Sequence, residues 1–224
     1  MTNELIFFMI AIIDFTFIQV VFRFGKPYVF AVIILNILLI SVFGAKLIEI
    51  FGFTTNIGNV FYAAVFFAAQ LLVEGYGKKE AYNTIWLGVV SVVFFILMAQ
   101  FVIFTIGIPE TRVVNSAIDD LFQAAPRVAI ASIFAYIISQ AVNISLFSYL
   151  KAKTGGKYLY IRVNLTNIVG QAIDSLIFFS IAFFGVIPFP TLVQVMLIGY
   201  GLKVFAGALS TPFFYLLDSK KPSV

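Results

Sequence analysis

The sequence of 224 residues contains neither cysteine nor histidine. The absence of cysteine excludes a disulfide framework, a thiolate nucleophile and a thiolate metal site. The absence of histidine excludes an imidazole base and histidine-bound zinc or haem. Charge is also scarce, because charged residues make up 11% of the chain, compared with about 25% in an ordinary soluble domain. Most of the groups that enzymes use are therefore missing, and we expect neither an enzyme nor a metal site.

Apolar residues, in contrast, are abundant. They make up 62% of the chain, 28 residues are Phe, and the mean hydropathy is +1.08. A soluble fold of this size has too little interior to bury so much apolar surface. A soluble enzyme and a disordered chain are therefore both excluded. The composition predicts an all-α integral membrane protein whose surroundings are the lipid bilayer, with no cofactor and no nucleic-acid partner.

Seven segments approach the length of about 20 apolar residues that a helix needs to cross a bilayer. The predicted transmembrane helices are residues 5–22, 28–50, 60–73, 83–108, 127–150, 164–187 and 191–217. The third is short, so we expect it either to extend into the loop that follows or not to cross fully. The long connection 109–126 is expected to carry an interfacial turn or a lid.

Basic residues follow the first, third, fifth and seventh spans. Ten of the 14 lie there, namely Arg23, Lys26, Lys78, Lys79, Lys151, Lys153, Lys157, Arg162, Lys220 and Lys221. The remaining connections carry little positive charge. Cytoplasmic loops are enriched in Lys and Arg, so this distribution predicts a multi-pass protein of the cell membrane with the N-terminus outside and the C-terminus in the cytoplasm.

Polar residues recur at helical spacing within the fifth and sixth spans. The steps are three or four residues, which places each set on one helical face. The two sets are Ser132, Tyr136, Gln140 and Asn143, and Asn164, Asn167, Gln171 and Asp174 with Ser175 beside them. Polar groups inside a membrane usually face the interior of the bundle. The two stripes therefore indicate either a lined cavity or hydrogen bonds that only join the helices.

Asp174 and Lys203 both lie near the middle of their spans, and a short turn joins those two spans. We expect the two side chains to pair, because pairing reduces the cost of burying either charge. The pair could serve only to fix the helix register. Alternatively, a ligand or a proton competes for one of its members.

Four further charged residues fall within predicted spans. Asp14 is either a proton-titrating group or a hydrogen-bonded structural group. Lys46 and Glu49 are three residues apart, and on a helix they would form a pair. Arg127 begins the fifth span and either contacts a ligand or extends toward the interface.

Three segments of the chain resemble the vitamin uptake transporter (VUT) family of queuosine-precursor transporters. The first is VEGYGKK at residues 73–79, which is similar to the family's E-x-Y-G-K-x signature. The second covers residues 127–147 and the third covers residues 162–183. Each of these two segments includes one of the polar stripes. Lys46 and Lys203 also lie where such proteins tend to carry Lys. The resemblance covers about residues 28 to 217.

The resemblance implies a six-helix core like the substrate-binding (S) component of energy-coupling-factor (ECF) transporters. Residues 28–217 would form this core in a single transmembrane domain, with residues 1–27 as an extra N-terminal helix and 218–224 as a cytoplasmic tail. The resemblance also implies import of a 7-deazaguanine, such as 7-cyano-7-deazaguanine, its aminomethyl relative or queuine. Many members carry Asp where this chain has Gln70 and Asn143. Asp174 and Glu74 then remain as carboxylates that could accept the N–H groups of a guanine edge.

A flat purine-like substrate needs an apolar slot, a few placed amides and a carboxylate. The predicted substrate-binding residues are Gln70, Glu74, Arg127, Gln140, Asn143, Asn164, Asn167, Gln171, Asp174 and Ser175. Asp14, Lys46 and Lys203 are predicted as a charge pair or as coupling groups. Whether the protein forms a homo-oligomer is left open by the sequence.

Four functions compete at this point. The first is a secondary or facilitative transporter, and the second is a substrate-binding component that requires an ECF module and its ATPases. A retinal-binding protein would suit seven spans and Lys203, but such proteins carry Asp four residues earlier, where this chain has Gly199. A membrane enzyme would have few convergent acids and no His or Cys to use. The resemblance favours the first, a transporter of a deazaguanine.

Overall fold

The computed structural model describes residues 2–44, 46–122 and 126–216, except for the side chains of residues 126, 127 and 129. In chain order the elements are α1 (Asn3–Phe22), α2 (Lys26–Phe43), β1 (Leu47–Ile50), β2 (Phe53–Asn56), α3 (Gly58–Tyr76), α4 (Lys78–Ile103), a 3-10 turn (Pro109–Thr111), α5 (Arg112–Phe122), α6 (Pro126–Lys153), α7 (Leu159–Phe183), α8 (Phe189–Ala208) and α9 (Thr211–Tyr215). Within the described residues, seven helices are long and apolar enough to cross a membrane. The prediction of an all-α integral membrane protein with about seven transmembrane helices is confirmed.

Helix α3 is the most deeply buried of the seven spans and lies at the centre of the bundle. It packs against α1, α2, α4, α6 and α8. The predicted segment 60–73 was short for a transmembrane helix. Helix α3 extends beyond it at both ends and has 19 residues, which is long enough to cross a membrane. Small residues dominate its middle, and Ala63, Ala64, Ala68 and Ala69 are all buried. Small side chains allow neighbouring helices to approach closely.

The prediction that the second span extends to residue 50 is wrong. Helix α2 ends at Phe43, and Leu47–Ile50 pairs with Phe53–Asn56 as an antiparallel hairpin. Gly44 follows the helix, and the two-residue hairpin turn at Phe51 and Gly52 has positive φ at both positions. Apolar residues of β propensity continue the hydrophobic run, so composition alone could not distinguish these strands from a longer helix.

The expected helical pair of Lys46 and Glu49 is therefore also wrong. Lys46 is exposed and precedes β1, and Glu49 is exposed within that strand. A spacing of three residues brings side chains together on a helix but not on a strand, where successive residues point to opposite faces. Glu49 instead contributes its backbone carbonyl, which accepts a hydrogen bond from Asn3.

The connection between α4 and α6 contains the helix α5, where the sequence predicts an interfacial turn or a lid. This helix is amphipathic, with exposed apolar residues such as Val113 and Val114 and a polar side that includes Asp119 and Asp120. Its end packs on α4, where the rings of Phe122 and Phe95 lie 5.7 Å apart.

Three of the connections that carry basic residues, those after α1, α3 and α6, lie at one end of the bundle, and the predicted tail 218–224 lies outside the described residues. Lys26 after α1 forms an ion pair of 3.0 Å with Glu80 at the start of α4. Lys151 near the end of α6 and Arg162 at the start of α7 both contact Glu74 near the end of α3. This arrangement agrees with the predicted topology, in which these connections share one side of the membrane. Which side they face stays a prediction.

Candidate functional site

Two rows of side chains face each other where α3 and α7 run antiparallel. The row on α3 takes every fourth residue and comprises Tyr62, Phe66, Gln70 and Glu74. The row on α7 follows the same helical face and comprises Arg162, Thr166 with Asn167, Gly170 and Asp174. The rows pair in reverse order, as Tyr62 with Asp174, Phe66 with Gly170, Gln70 with Asn167, and Glu74 with Arg162. Together with Ser139, Gln140 and Asn143 of α6 and Lys203 of α8, they form what we call the polar column.

The carboxylate level of the column is centred on Asp174. Lys203 of α8 lies 2.6 Å from its Oδ2 atom, so the predicted pair is present. The Tyr62 hydroxyl donates to Oδ1 at 2.5 Å, and the Ser139 hydroxyl does so at 3.4 Å. The Lys203 ammonium also lies 5.3 Å from the centre of the Tyr62 ring and 5.9 Å from that of Phe178. Asp174 and Lys203 are thus both surrounded by partners.

The amide level lies two helical turns further along the column. Gln70 donates through Nε2 to Asn143 Oδ1 at 2.9 Å and to Asn167 Oδ1 at 3.1 Å. Asn143 in turn donates to Gln140 Oε1 at 3.2 Å. Asn167 donates to the Gly207 carbonyl of α8 at 3.1 Å. Four amides from three helices are therefore joined in one buried network.

Several buried polar atoms on α3, α6 and α7 lack a hydrogen-bond partner among the described residues. They are Gln70 Oε1, Gln140 Nε2, both Nε2 and Oε1 of Gln171, Thr166 Oγ1 and Ser175 Oγ. An unsatisfied buried polar group costs about 1–3 kcal/mol, so native proteins rarely leave one unpaired. Six such atoms on three neighbouring helices indicate a place for a polar ligand or for water. The set includes amide donors, amide acceptors and hydroxyls.

The arginine level closes the column at the end with the basic connections. Arg162 has only 1% of its side chain exposed, and its Nη1 atom lies 2.8 Å from Glu74 Oε2. Its other nitrogens donate to the carbonyls of Gly156 and Lys157, and its guanidinium lies 5.1 Å from the centre of the Phe147 ring. Lys151 donates to the carbonyls of Val73 and Glu74. Glu74 is therefore held by cations and does not lie among the amides.

The structure brings together six of the thirteen predicted site residues in the carboxylate and amide levels. They are Gln70, Gln140, Asn143, Asn167, Asp174 and Lys203. Gln171 and Ser175 are buried on α7, the helix that carries Asn167 and Asp174. Both polar stripes therefore face the interior, except that Ser132 is exposed and bonds to its own helix at Val128. The cavity and the structural interpretation are both compatible with this placement, but the unpaired atoms favour the cavity.

The other five predicted residues lie elsewhere. Asn164 donates to Thr211 at 3.0 Å and faces α9. Glu74 belongs to the arginine level, and Asp14 bonds to Asn36 of α2. Lys46 is exposed beside the hairpin, and the side chain of Arg127 falls outside the part of the chain that the structure describes.

Sequence reasoning missed three residues that shape the column, which are Tyr62, Ser139 and Thr166. Tyr62 could have been found, because it begins the four-residue spacing that continues through Phe66, Gln70 and Glu74. The short length of the apolar run in the third span concealed this pattern. Ser139 precedes Gln140 on α6, and its contact with Asp174 depends on the rotation of α6 relative to α7.

The chain is similar to known proteins along its whole length. Residues 56–217 match the family model described as "Putative vitamin uptake transporter". A protein of Bacillus subtilis (strain 168) named "Probable queuosine precursor transporter" is 28% identical over 225 aligned residues, which cover 100% of this chain and 98% of that protein. No solved structure matches the chain at a significant level. The region matched by the family model contains every residue of the polar column, and the full-length relative also aligns with α1 and the hairpin.

Proposed function

The chain belongs to the vitamin uptake transporter family, and from this premise we propose that it imports a queuosine precursor of the 7-deazaguanine class across the cell membrane. The substrate would bind in the polar column, at the amide level and beside Gln171. The family membership supports transport, and the name of the Bacillus subtilis relative supports the substrate class. The unpaired polar atoms of the column support the location of the site.

The observation that carries this proposal is the chemical match between those unpaired atoms and a guanine-like edge. Such an edge offers a carbonyl acceptor next to two N–H donors. The Nε2 atoms of Gln140 and Gln171 could donate to the carbonyl, and the Oε1 atoms of Gln70 and Gln171 could accept from the donors. All of these partners are neutral, as the deazaguanine ring is. Binding of the ring would therefore satisfy buried groups without burying a further charge beside the amides.

The column also offers an aromatic surface for a flat ring. Phe66 is fully buried at the height between the carboxylate and amide levels, and its ring centre lies 5.2 Å from that of Tyr62. Aromatic rings prefer offset or edge-on contacts at such distances. Gly170 lies against one edge of the Phe66 ring, where there is no room for a side chain. We assign to the rings of Phe66 and Tyr62 the aromatic contact with the plane of the base, on the side away from Gly170.

In this proposal the Asp174 carboxylate does not contact the substrate directly. Its carboxylate already accepts from Tyr62, Ser139 and Lys203. A substrate N–H group could reach it only if one of these donors moved. We therefore assign substrate recognition to the amides, and we assign to Asp174 the joining of α3, α6, α7 and α8 at one end of the site.

The binding test uses the purified protein in detergent and a panel of 7-cyano-7-deazaguanine, 7-aminomethyl-7-deazaguanine, queuine and guanine. A ligand that binds only the folded state raises the thermal midpoint. We expect at least one deazaguanine to raise it, and Gln171→Leu to remove the shift. Asn164→Leu on the same helix is the matched control, because Asn164 faces α9 and lies outside the column.

Two results would contradict the proposal in different ways. If no deazaguanine shifts the midpoint of the wild type, the substrate class is wrong. If a deazaguanine shifts both variants equally, the substrate class stands and the binding site lies outside the column.

A further inference from the structure

A second buried polar pair lies outside the column, between α1 and α2. Asn36 is 2% exposed and donates through Nδ2 to Asp14 Oδ1 at 3.1 Å and to the Val32 carbonyl at 3.1 Å. Asp14 lies in the middle of the 20-residue span α1. The remaining oxygens of the pair, Asp14 Oδ2 and Asn36 Oδ1, are both buried and have no hydrogen-bond partner among the described residues. Both oxygens are hydrogen-bond acceptors, and neither has a donor.

No positive charge compensates Asp14 within the part of the chain that the structure describes. The four ion pairs there are Lys26–Glu80, Lys151–Glu74, Arg162–Glu74 and Lys203–Asp174. The titratable groups on the elements packed against α1 are Lys26 and Tyr28 of α2, Tyr62, Glu74 and Tyr76 of α3, Glu49 of β1, Tyr215 of α9, and Tyr200 and Lys203 of α8, whose Phe205 contacts Phe8. The two cations among them are engaged elsewhere, Lys26 with Glu80 and Lys203 with Asp174. An ionised Asp14 would be an unpaired charge inside the membrane, which is expensive.

Protonation of Asp14 would remove the unpaired buried charge and would also supply the missing hydrogen-bond donor. A protonated carboxyl carries one O–H donor, and a primary amide carries one acceptor and two donors. An acid and an amide can therefore form a ring of two hydrogen bonds, in which the amide N–H donates to one carboxyl oxygen and the carboxyl O–H donates to the amide oxygen. The structure already contains the first of these bonds, from Asn36 to Asp14. The two unpaired oxygens are the atoms that the second bond would join.

We propose that Asp14 and Asn36 form a membrane-embedded proton-binding site, and that the release and uptake of this proton are coupled to transport. A metal cation fits the pair less well, because a hard cation such as Ca²⁺ takes about six or more oxygen ligands, whereas this pair has two unpaired oxygens. The coupling part of the inference rests on the proposed function, and the proton-binding part does not.

Packing connects this pair to the polar column. Phe15, the neighbour of Asp14 on α1, packs edge-on against Phe67 of α3, with ring centres 5.3 Å apart. Phe67 follows Phe66, which lines the slot proposed for the substrate. Helix α2, which carries Asn36, also packs along α3. Loss of the proton would leave a charged carboxylate against the amide oxygen, so that α1 and α2 would tend to separate and their contacts with α3 would change.

The first experiment tests proton binding without any substrate. Dicyclohexylcarbodiimide is an apolar reagent that adds to protonated carboxyl groups in apolar surroundings. We expect mass spectrometry of the labelled protein in liposomes to find the adduct on Asp14, with less labelling as the pH rises. Asp174 is the internal control, because an ionised carboxylate paired with Lys203 should not react. Asp14→Asn should remove the adduct, and Asp174→Asn should leave it.

The second experiment tests coupling, with uptake of 7-cyano-7-deazaguanine into proteoliposomes under an imposed proton gradient. Asp14→Asn replaces the acid with a neutral amide of the same shape and should keep the pairing with Asn36. We expect this variant to exchange substrate across the membrane but to lose accumulation driven by the gradient. Asp14→Glu, which keeps a titratable group, should retain part of it.

Each outcome decides one part of the inference. Absence of labelling at Asp14 at every pH would overturn the proton-binding site. Labelling together with gradient-driven accumulation in Asp14→Asn would overturn the coupling role. If the wild type takes up no deazaguanine, the proposed function fails, and the labelling result still decides whether Asp14 binds a proton.

Discussion

Phe66 and Gly170 face each other across the polar column so closely that a Cβ atom on residue 170 would lie 2.6 Å from the Phe66 ring. The contact joins α3 and α7 at the height between the carboxylate and amide levels. Because Phe66 is fully buried, its ring has little freedom to move away. The glycine is therefore required by close approach and not by a turn.

The first prediction follows from this contact. Gly170→Ala should destabilise the protein by about 1–3 kcal/mol, since overpacking a core forces side chains out of their preferred rotamers. It should also weaken deazaguanine binding, because the ring of Phe66 would be displaced into the proposed slot. Thermal unfolding in detergent, with and without the ligand, measures both effects.

Gly201→Ala is the matched control for this substitution. Gly201 is also helical, lies on α8, and has nothing within 4 Å of the position of a Cβ atom. Alanine favours the helix over glycine by about 0.5–1 kcal/mol, so this variant should be slightly more stable than the wild type. Equal effects of the two substitutions would mean that the Phe66 contact is not tight in the protein.

The second prediction concerns the arginine level. Glu74→Gln leaves the buried Arg162 without its carboxylate and removes the partner of Lys151. Removing one member of a buried ion pair costs about 3–5 kcal/mol, and we expect the lower end of this range because Glu74 is partly exposed. Chemical unfolding of the purified protein measures the loss.

Glu80→Gln is the control at the same end of the bundle. The two carboxylates are about equally exposed, at 25% for Glu80 and 29% for Glu74, but the cation Lys26 is 42% exposed whereas Arg162 is 1% exposed. Exposed ion pairs contribute about 0–1 kcal/mol, so this variant should unfold almost as the wild type does. If Glu80→Gln lost as much free energy of unfolding as Glu74→Gln, exposure would not explain the difference expected between the two ion pairs.

The third prediction distinguishes the two roles considered for Asp174 and Lys203. Asp174→Asn and Lys203→Met should each destabilise the protein, because each leaves one charge buried without its partner. The double variant should recover part of this loss, since contacting residues commonly show interaction energies of about 0.5–3 kcal/mol. The thermal midpoints of the wild type, the two single variants and the double variant together form a double-mutant cycle. Additive losses would mean that the two charges do not stabilise each other.

Ligand binding to the same variants addresses the functional alternative. If recognition rests on the amides, the double variant should still bind a deazaguanine. Complete loss of binding in a stable double variant would instead assign Asp174 to the substrate. The structure favours the first outcome, because Tyr62, Ser139 and Lys203 already occupy the carboxylate.

Periodicity alone was sufficient to predict the face of α7 that carries Asn167, Gln171 and Asp174, because an amide or a carboxylate inside a membrane has few alternatives to the bundle interior. The pairing of Asp174 with Lys203 followed from their depth and from the short turn between their helices. The hairpin after α2 could not be predicted, because Leu47–Ile50 is as apolar as the helix before it. The four-residue spacing of Tyr62, Gln70 and Glu74 was present in the sequence, but the contact of Ser139 with Asp174 required knowledge of which helices are neighbours and how each is rotated, which one sequence does not provide.

The last prediction concerns whether the chain transports its substrate without partners. The column is closed at one end by Asp174 with Lys203 and at the other by Glu74 with Arg162. Alternate opening of two such closures is sufficient for alternating access, so we expect the purified protein in liposomes to move 7-cyano-7-deazaguanine without ATP. Gln171→Leu, which removes the unpaired amide but leaves both ion pairs in place, should lack this activity. Uptake that appears only after an energising module and ATP are added would contradict the prediction and would favour the substrate-binding component of an ECF-type importer. The ion pairs would then serve to hold the helices in register, and opening would depend on the partner.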